Sequence, residues 1–231
     1  MTPSGPKVIA HRGASNDAPE NSQTAIQKAT ELNIYAIEFD IRLTSGGQFI
    51  ISHDASFKRT AGIRGKISKN SLKWLTKNVT LKDGLPPPSL KDALKYRKNK
   101  HVFIEAKAKN WSVQLNEFAR NNNFSNVSVL SFNYDELAKF HALQLNIPCF
   151  SLTFWRPLHC LKIARSYGFY GIGTHWMAIN PIVVWLARRW KIELMVYTVN
   201  FSVIAKIINA IYPSVTIATN KPKELIDLLT K

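Results

Sequence analysis

The sequence has few cysteines and few acidic residues. Only Cys149 and Cys160 occur among 231 residues, which excludes a disulfide scaffold, and their spacing matches no metal-binding pattern. We expect each to be a small side chain in the core or near the surface. The 15 acidic residues stand against 31 Lys and Arg, so the formal net charge is +16. Such a surface attracts nucleic acid, acidic membranes or phosphorylated substrates, or it serves only to keep the chain in solution.

Long apolar runs and targeting segments are also missing. The longest apolar run, residues 179–187, is interrupted by Asn180 and Pro181 and is too short to span a bilayer. Residues 1–7 contain no apolar segment of the kind that a signal peptide needs. We therefore expect a cytoplasmic protein, with peripheral attachment to a membrane as the alternative.

Short apolar, β-branched runs alternate with helical patterns along the chain. We predict strands at 8–10, 36–43, 102–106, 127–131, 149–153, 170–173, 194–199 and 215–218. Helices are predicted at 21–32, 89–98, 111–121, 134–145, 159–167, 181–189, 201–210 and 221–231, the first of them capped by Asn21. Eight strands that alternate with helices predict an α/β protein, a closed (β/α)₈ barrel that forms one domain over residues 1–231.

Two segments interrupt this alternation. Residues 48–52 form a strand candidate that only four residues separate from the second strand, too few for a crossover helix, so the two must form an antiparallel hairpin. Residues 55–88 form an irregular insertion that ends in three consecutive prolines and has room for one helix near 71–77.

The hairpin allows a geometric prediction. If the turn is centred on Ser45 and Gly46, paired positions sum to about 91, and Glu38 lies opposite His53. Asp40 then lies opposite Ile51, and because side chains at i and i+2 share one face of a strand, Glu38, Asp40 and His53 should project to one side. A bulge would shift this pairing by one residue.

Polar side chains follow several of the predicted strands. Because the carboxyl ends of barrel strands form one mouth, we expect these residues to converge there: His11, Arg12, Glu38, Asp40, Glu105 and Lys107. Three carboxylates in one cluster repel each other unless a cation lies between them. Ligation by oxygen alone favours Mg²⁺ or Ca²⁺ over zinc.

Each of these residues also has a simpler interpretation. Either histidine alone could be structural, Glu105 and Lys107 could be a surface ion pair, and Arg12 with Gly13 could form a turn. Glu20 could either favour the start of a helix through the helix dipole or support the site from behind.

At these residues the chain resembles the glycerophosphodiester phosphodiesterase family. The matching segments are His11-Arg12-Gly13, Pro19-Glu20-Asn21, Glu38-Phe39-Asp40, the turn 44–47, His53-Asp54 and Arg59-Thr60. Further matches are Pro88-Ser89-Leu90, Ile104-Glu105-Ala106-Lys107, Ser131-Phe132, Tyr197-Thr198-Val199-Asn200 and Thr219-Asn220-Lys221-Pro222. Their order and spacing extend over nearly the whole chain.

The resemblance implies a (β/α)₈ barrel that hydrolyses glycerophosphodiesters, to glycerol 3-phosphate and an alcohol, or related lysophospholipids, with a divalent cation as cofactor. It implies that Glu38, Asp40 and Glu105 are metal ligands and that His11 and His53 are the acid–base pair. Arg12 and Lys107 would contact the substrate phosphate.

The chain departs from the family pattern at a few positions. Gly46 replaces the usual Asp of the hairpin turn, where glycine is well suited. Tyr197 replaces Trp and keeps an aromatic side chain at the mouth, and Asn220 replaces the late Asp. Residues 211–214 lack the family's Gly-x-Asp segment before the last predicted strand.

The region 150–189 is rich in aromatic and basic residues. It can be ordinary core with a solvated cationic face, or Trp155 and Trp176 can line the substrate mouth together with Tyr197. A cationic rim with exposed aromatics suits an anionic membrane surface. The sequence leaves two alternatives to an active enzyme: a non-catalytic basic barrel that binds nucleic acid or an anionic membrane, and a barrel that has lost turnover. We expect no specific nucleic-acid partner, because no such motif occurs.

Overall fold

Eight parallel strands close into a barrel. The computed structural model describes residues 6–143 and 146–230. The barrel strands are β1 (Val8–Ala10), β2 (Ala36–Leu43), β4 (His101–Ala106), β5 (Val127–Ser131), β6 (Cys149–Thr153), β7 (Gly171–His175), β8 (Glu193–Tyr197) and β9 (Thr216–Thr219). Neighbouring strands pair in this order, and β1 pairs with both β2 and β9. A ninth strand, β3 (Phe49–Ile51), lies antiparallel on β2.

Helices follow the barrel strands and surround them. They are α1 (Gln23–Thr30), α2 (Lys58–Ala61), α3 (Leu72–Asn78), α4 (Leu90–Tyr96), α5 (Ser112–Asn121), α6 (Tyr134–Ala142), α7 (Pro157–Tyr167), α8 (Pro181–Arg189), α9 (Ser202–Ile211) and α10 (Pro222–Leu229). The predicted (β/α)₈ barrel is therefore confirmed. Within the described ranges, no helix combines the length and apolar character that crossing a membrane requires.

The strands bury both of their faces, because alternate side chains point into the barrel and out toward the helices. The inward cluster contains Ile9, Phe103, Leu130, Phe150, Leu152 and Met195. The outward side chains, such as Ile37 and Phe39, join the larger core under the helices. Cys149 and Cys160 are buried and unpaired, and burial raises the pKa of the Cys149 thiol to about 12.

Several predicted boundaries differ from those observed. Helix α7 begins at Pro157 rather than at 159, because proline is favoured in the first turn, where its missing N–H is not needed. The predicted cap at Asn21 is wrong: Ser22 is the N-cap of α1, and its hydroxyl accepts a hydrogen bond from the Ala25 amide. The ends of the helices predicted at 134–145 and 221–231 fall on residues 144, 145 and 231, outside the described residues.

The insertion 55–88 is more regular than predicted. It contains two α-helices, α2 and α3, and a 3₁₀ turn at Ile67–Lys69 rather than one helix. Apolar side chains give it a small core of its own, formed by Ile50, Phe57, Ile67, Leu75, Val79 and Leu81. The extra elements escaped prediction because one turn of helix is too short to display a helical period.

The hairpin register differs by one residue from the prediction. Ile41 lies opposite Ile51 and Arg42 opposite Ile50, so paired positions sum to 92 and Asp40 does not face Ile51. The cause is the turn, in which the Thr44 amide donates to the Gln48 carbonyl and Gly47 adopts a φ of +72°. This three-residue loop with a left-handed glycine replaces the two-residue turn centred on Ser45 and Gly46.

Candidate active site

Adjacent parallel strands bring three carboxylates together at the mouth of the barrel. Glu38 and Asp40 lie two residues apart on β2, and Asp40 pairs in register with Glu105 of β4. One oxygen from each carboxylate lies within 4.8 Å of one oxygen from each of the others. All three side chains are buried, Asp40 completely. The barrel thus concentrates negative charge at one point, as the strand-end positions predicted.

Two of the carboxylates have an oxygen without a hydrogen-bond partner in the part of the chain that the structure describes. Glu38 Oε1 and Asp40 Oδ1 are buried and accept no hydrogen bond among the described residues. A cavity of about 30 Å³, large enough for one ion or water molecule, is bordered by His11, Glu38, Glu105 and Tyr197. Glu38 borders this cavity, and a hard divalent cation would satisfy its unpaired, buried oxygen. The residues present therefore fit such a cation.

The protonation of the cluster follows from burial and mutual repulsion. Burial, reinforced by the charge of Asp40, raises the pKa of Glu38 to about 8 and that of Glu105 to about 7. Burial also opposes the ionisation of Asp40, but the charges of Lys107 and Arg12 outweigh it and lower its pKa. One carboxylate is thus held charged while its neighbours resist ionisation until positive charge is supplied.

Two cationic side chains border the carboxylates. The Arg12 backbone amide donates to Glu38 Oε2 at 2.8 Å, and Arg12 Nε lies 3.3 Å from Asp40 Oδ2. The Lys107 ammonium contacts Glu105 and lies 3.3 Å from Asp40 Oδ1. Both side chains remain partly exposed at the mouth, so their remaining N–H groups can reach an anionic ligand.

The two histidines hold different partners. The His11 Nδ1–H donates to Asn220 Oδ1 at 2.7 Å, and His11 Nε2 lies 3.9 Å from Glu38 Oε2. The His53 Nδ1–H donates to the carboxylate of Asp54 at 2.8 Å. Burial lowers the pKa of both rings, and the charge of Arg12 lowers that of His11 further. His53 lies beyond the end of β3, and the charge of Asp40 acts on its ring.

Asn21 is a site residue that the sequence interpretation missed. Its side-chain amide donates to Asp40 Oδ2 at 2.8 Å, and its Oδ1 accepts from the Asp40 amide at 3.1 Å. Asn21 has a φ of +58°, which turns it away from the helix that it was expected to cap. Its place in the Pro19-Glu20-Asn21 segment was the only signal of this role.

Glu20 and Arg59 form an ionic link behind the site. Glu20 accepts from Arg12 at 3.0 Å and from Arg59 at 2.6 Å, and Arg59 also donates to Asp54 at 2.7 Å. Glu20 could either favour the start of a helix or support the site. Its contacts with Arg12 and Arg59 favour the second interpretation. Through Arg59, the insertion is connected to the Asp54 carboxylate that holds His53.

The predicted aromatic residues occupy different positions at the mouth. Tyr197 borders the cavity, and its hydroxyl donates to the Thr153 carbonyl. Trp155 is 62% exposed, with its ring 4.7 Å from that of His175. Trp176 packs partly against the core. A larger cavity of about 690 Å³ lies at the opposite end of the barrel, around Arg188 and Glu193, away from the carboxylates.

Comparison with known proteins identifies a family and relatives that the chain resembles. A family model described as the glycerophosphoryl diester phosphodiesterase family matches residues 11–216. A glycerophosphodiester phosphodiesterase of Bacillus subtilis is 25% identical, over 87% of this chain and 78% of that protein.

Solved structures share the fold at low sequence identity. A phosphodiesterase of Oleispira antarctica, in complex with the product sn-glycerol-3-phosphate, is 21% identical with a TM-score of 0.89 over 98% of each chain. A glycerophosphodiester phosphodiesterase of Thermotoga maritima is 23% identical with a TM-score of 0.83, over 96% of this chain and 98% of that one.

Proposed function

The chain belongs to the glycerophosphodiester phosphodiesterase family, and we propose that it hydrolyses glycerophosphodiesters to glycerol 3-phosphate and an alcohol, using a divalent cation and the pair His11 and His53. The observation that carries this proposal is the cluster of Glu38, Asp40 and Glu105. Buried oxygens of Glu38 and Asp40 accept no hydrogen bond from the described residues, and the cluster lies beside two cationic side chains at one mouth. The product complex of the Oleispira antarctica relative supports a small phosphodiester as substrate.

The three carboxylates would hold the cation. Mg²⁺ and Ca²⁺ are the candidates, because the donor set consists of oxygen alone. When bound, the cation would supply Lewis-acid polarisation of the phosphate and a template for its orientation. Its positive charge would also oppose the burial and the charge of Asp40, which together raise the pKa of Glu38 and Glu105.

Arg12 and Lys107 would bind the phosphate oxygens. Each lies within 3.3 Å of a carboxylate oxygen of Asp40, so both cationic groups are held in place before substrate arrives. Charge grows on the phosphate oxygens in the transition state, and positioned N–H donors stabilise it most at that point. The Asn21 amide would keep Asp40 in the orientation that this arrangement needs.

The histidines would move the protons. One would take a proton from the nucleophile, and the other would protonate the leaving alkoxide. The nucleophile would be water or the substrate hydroxyl adjacent to the phosphate. Their partners, the neutral Asn220 and the anionic Asp54, give them unlike environments, which is the condition for a pair to divide the two roles.

The alcohol part of the substrate would lie against the aromatic side of the mouth. Tyr197 borders the cavity and Trp155 stands exposed beyond it. Both a small deacylated diester and a lysophospholipid fit this description, so the two should be assayed side by side.

The test is hydrolysis of glycerophosphocholine and of lysophosphatidylcholine by the purified protein with Mg²⁺, Ca²⁺ or EDTA. We expect turnover only with a cation, and a loss of about 10²–10⁴ in rate for either His11→Ala or His53→Ala. His141→Ala is the matched control, because this histidine is exposed on α6 and should not affect the rate. Near-full activity in both site variants would refute the histidine roles, and turnover in EDTA would refute the cation.

A further inference from the structure

Three consecutive loops at the mouth carry large apolar side chains that are exposed. These loops and the first helical turns after them follow β6, β7 and β8, which are neighbours in the barrel. Six of their exposed side chains, which are between 43% and 68% accessible, form what we call the apolar collar: Trp155, Leu158, Met177, Ile182, Phe201 and Val203. Exposed apolar side chains concentrated in one region of a surface mark an interaction site.

The apolar collar is continuous with the active site. Tyr197, which borders the cavity between His11 and Glu105, ends β8 and lies 6.1 Å from the ring of Phe154. Phe154 directly precedes Trp155, the first residue of the collar. Whatever covers the collar therefore approaches the mouth through which substrate enters.

The charge around the mouth has one dominant sign. The segments that carry the collar, 154–159, 176–183 and 198–204, contain the exposed Arg156 and no acidic residue. Across the mouth, residues 58–66 contain four basic residues and no acidic residue, and Arg59 within them contacts Glu20 beside the site. Lys58, Arg64 and Lys66 are exposed, and none of them forms an ion pair with any carboxylate in the described part of the chain.

We propose that the apolar collar docks the barrel mouth onto an anionic phospholipid membrane. Isolated apolar side chains on loops and first helical turns can enter the boundary between headgroups and acyl chains, while neighbouring Lys and Arg attract anionic headgroups. An excess of one charge sign beside apolar residues is the complementarity that such a surface requires. The docking goes beyond the proposed hydrolysis and does not depend on it, since binding needs no turnover.

The test is flotation of the purified full chain with phosphatidylcholine vesicles, with and without phosphatidylglycerol. The collar variant is Ile182→Ser/Val203→Ser, from the first turns of α8 and α9. The matched control is Tyr170→Ser/Ile211→Ser, whose side chains are exposed to 52% and 59% at the opposite end of the barrel. Glycerophosphocholine hydrolysis and thermal unfolding are measured for all three proteins.

We expect the wild type to bind the phosphatidylglycerol vesicles, more weakly as salt is added, and the collar variant to bind about tenfold more weakly. The control variant should bind as the wild type does, and all three should hydrolyse glycerophosphocholine at equal rates. Failure of the wild type to bind, or equal binding by both variants, would overturn the docking proposal. If instead the wild type dimerises with rising concentration and the collar variant does not, the docking proposal is overturned, and the collar binds a second copy of this chain. Vesicle binding without hydrolysis would instead leave the docking intact and refute the proposed function.

Discussion

The two histidines of the site differ in the charge of the group that orients them. Asn220 accepts a hydrogen bond from His11, whereas the Asp54 carboxylate accepts one from His53. A carboxylate stabilises the imidazolium form of its partner, and a neutral amide does so much less. Burial and the charge of Arg12 also lower the pKa of His11. The neutral form of His11 is therefore favoured, whereas His53 has a charged partner that favours its imidazolium form.

Asn220→Asp should therefore raise the pKa of His11. The new carboxylate would favour the charged ring, and we expect the limb of the pH profile of kcat/KM that reports His11 to move upward by about one unit. The measurement is that profile for wild type and variant, with Asn200→Asp as a comparison, because Asn200 contacts the Asn220 backbone but not the ring. An unchanged profile in Asn220→Asp would mean that His11 does not titrate in the reaction.

Glu38 links pH, cation and stability. Its pKa rises from 4.5 to about 8 on folding without a cation, so its contribution to stability is complete below 4.5 and is lost as the pH rises through 8. We expect the thermal midpoint in EDTA to fall over this range and to recover when Mg²⁺ or Ca²⁺ is added.

Glu38→Gln should reduce both the fall of the thermal midpoint with pH and its recovery on addition of a cation, because the amide cannot ionise. Glu117→Gln, at an exposed position on α5, should leave both unchanged. A wild-type midpoint that no cation alters at any pH would argue against the metal centre.

At the scale of elements, the loop between β1 and α1 positions much of the site. Arg12 and Asn21 have φ values near +58°, and Gly13 between them has a φ of +78°. A Cβ on Gly13 would lie 2.6 Å from the Ala25 carbonyl carbon of α1. Only glycine allows the loop to approach the helix this closely, and that approach aims Arg12 and Asn21 at β2.

Gly13→Ala should consequently damage both stability and activity. We expect a loss of about 3 kcal/mol or more, from left-handed strain and overpacking together, and a fall in kcat/KM as Arg12 is displaced. Gly62→Ala is the control: its φ is +72°, but a Cβ there meets nothing within 4 Å. It should cost only about 1 kcal/mol, from strain alone. Chemical denaturation of both variants measures the difference, and equal losses would contradict the steric argument.

At the scale of the whole molecule, closure of the barrel assembles the site and the surface charge surrounds it. The His11 amide donates to the Thr219 carbonyl, so the first and last barrel strands meet where His11 finds Asn220. The formal charge of +16 acts over the whole surface, and we expect its field to favour the approach of anionic substrates.

This field should show in the salt dependence of the reaction. Glycerophosphoglycerol carries a net negative charge and glycerophosphocholine does not, so we expect added salt to lower kcat/KM of the former by about tenfold and to affect the latter little. Steady-state kinetics over a salt series with both substrates measures this. An equal response of the two substrates would mean that long-range attraction contributes nothing to association.

The amino-acid sequence by itself determined the barrel and most of the candidate site. Strand and helix periods repeat along the chain, and they predict a (β/α)₈ barrel because parallel strands joined by helices bury both faces. Glu38 and Asp40, or Glu105 and Lys107, share a face through a spacing of two, which local geometry alone guarantees.

Tertiary structure decided the contacts that no local period encodes. Asn220 reaches His11 across 209 residues, Asn21 turns from a predicted cap into a partner of Asp40, and Gly47 shifts the hairpin register by one residue. The apolar collar also became visible only in the fold. Periodicity tells which side of an element is apolar, whereas closure of the barrel decides which of those sides are covered.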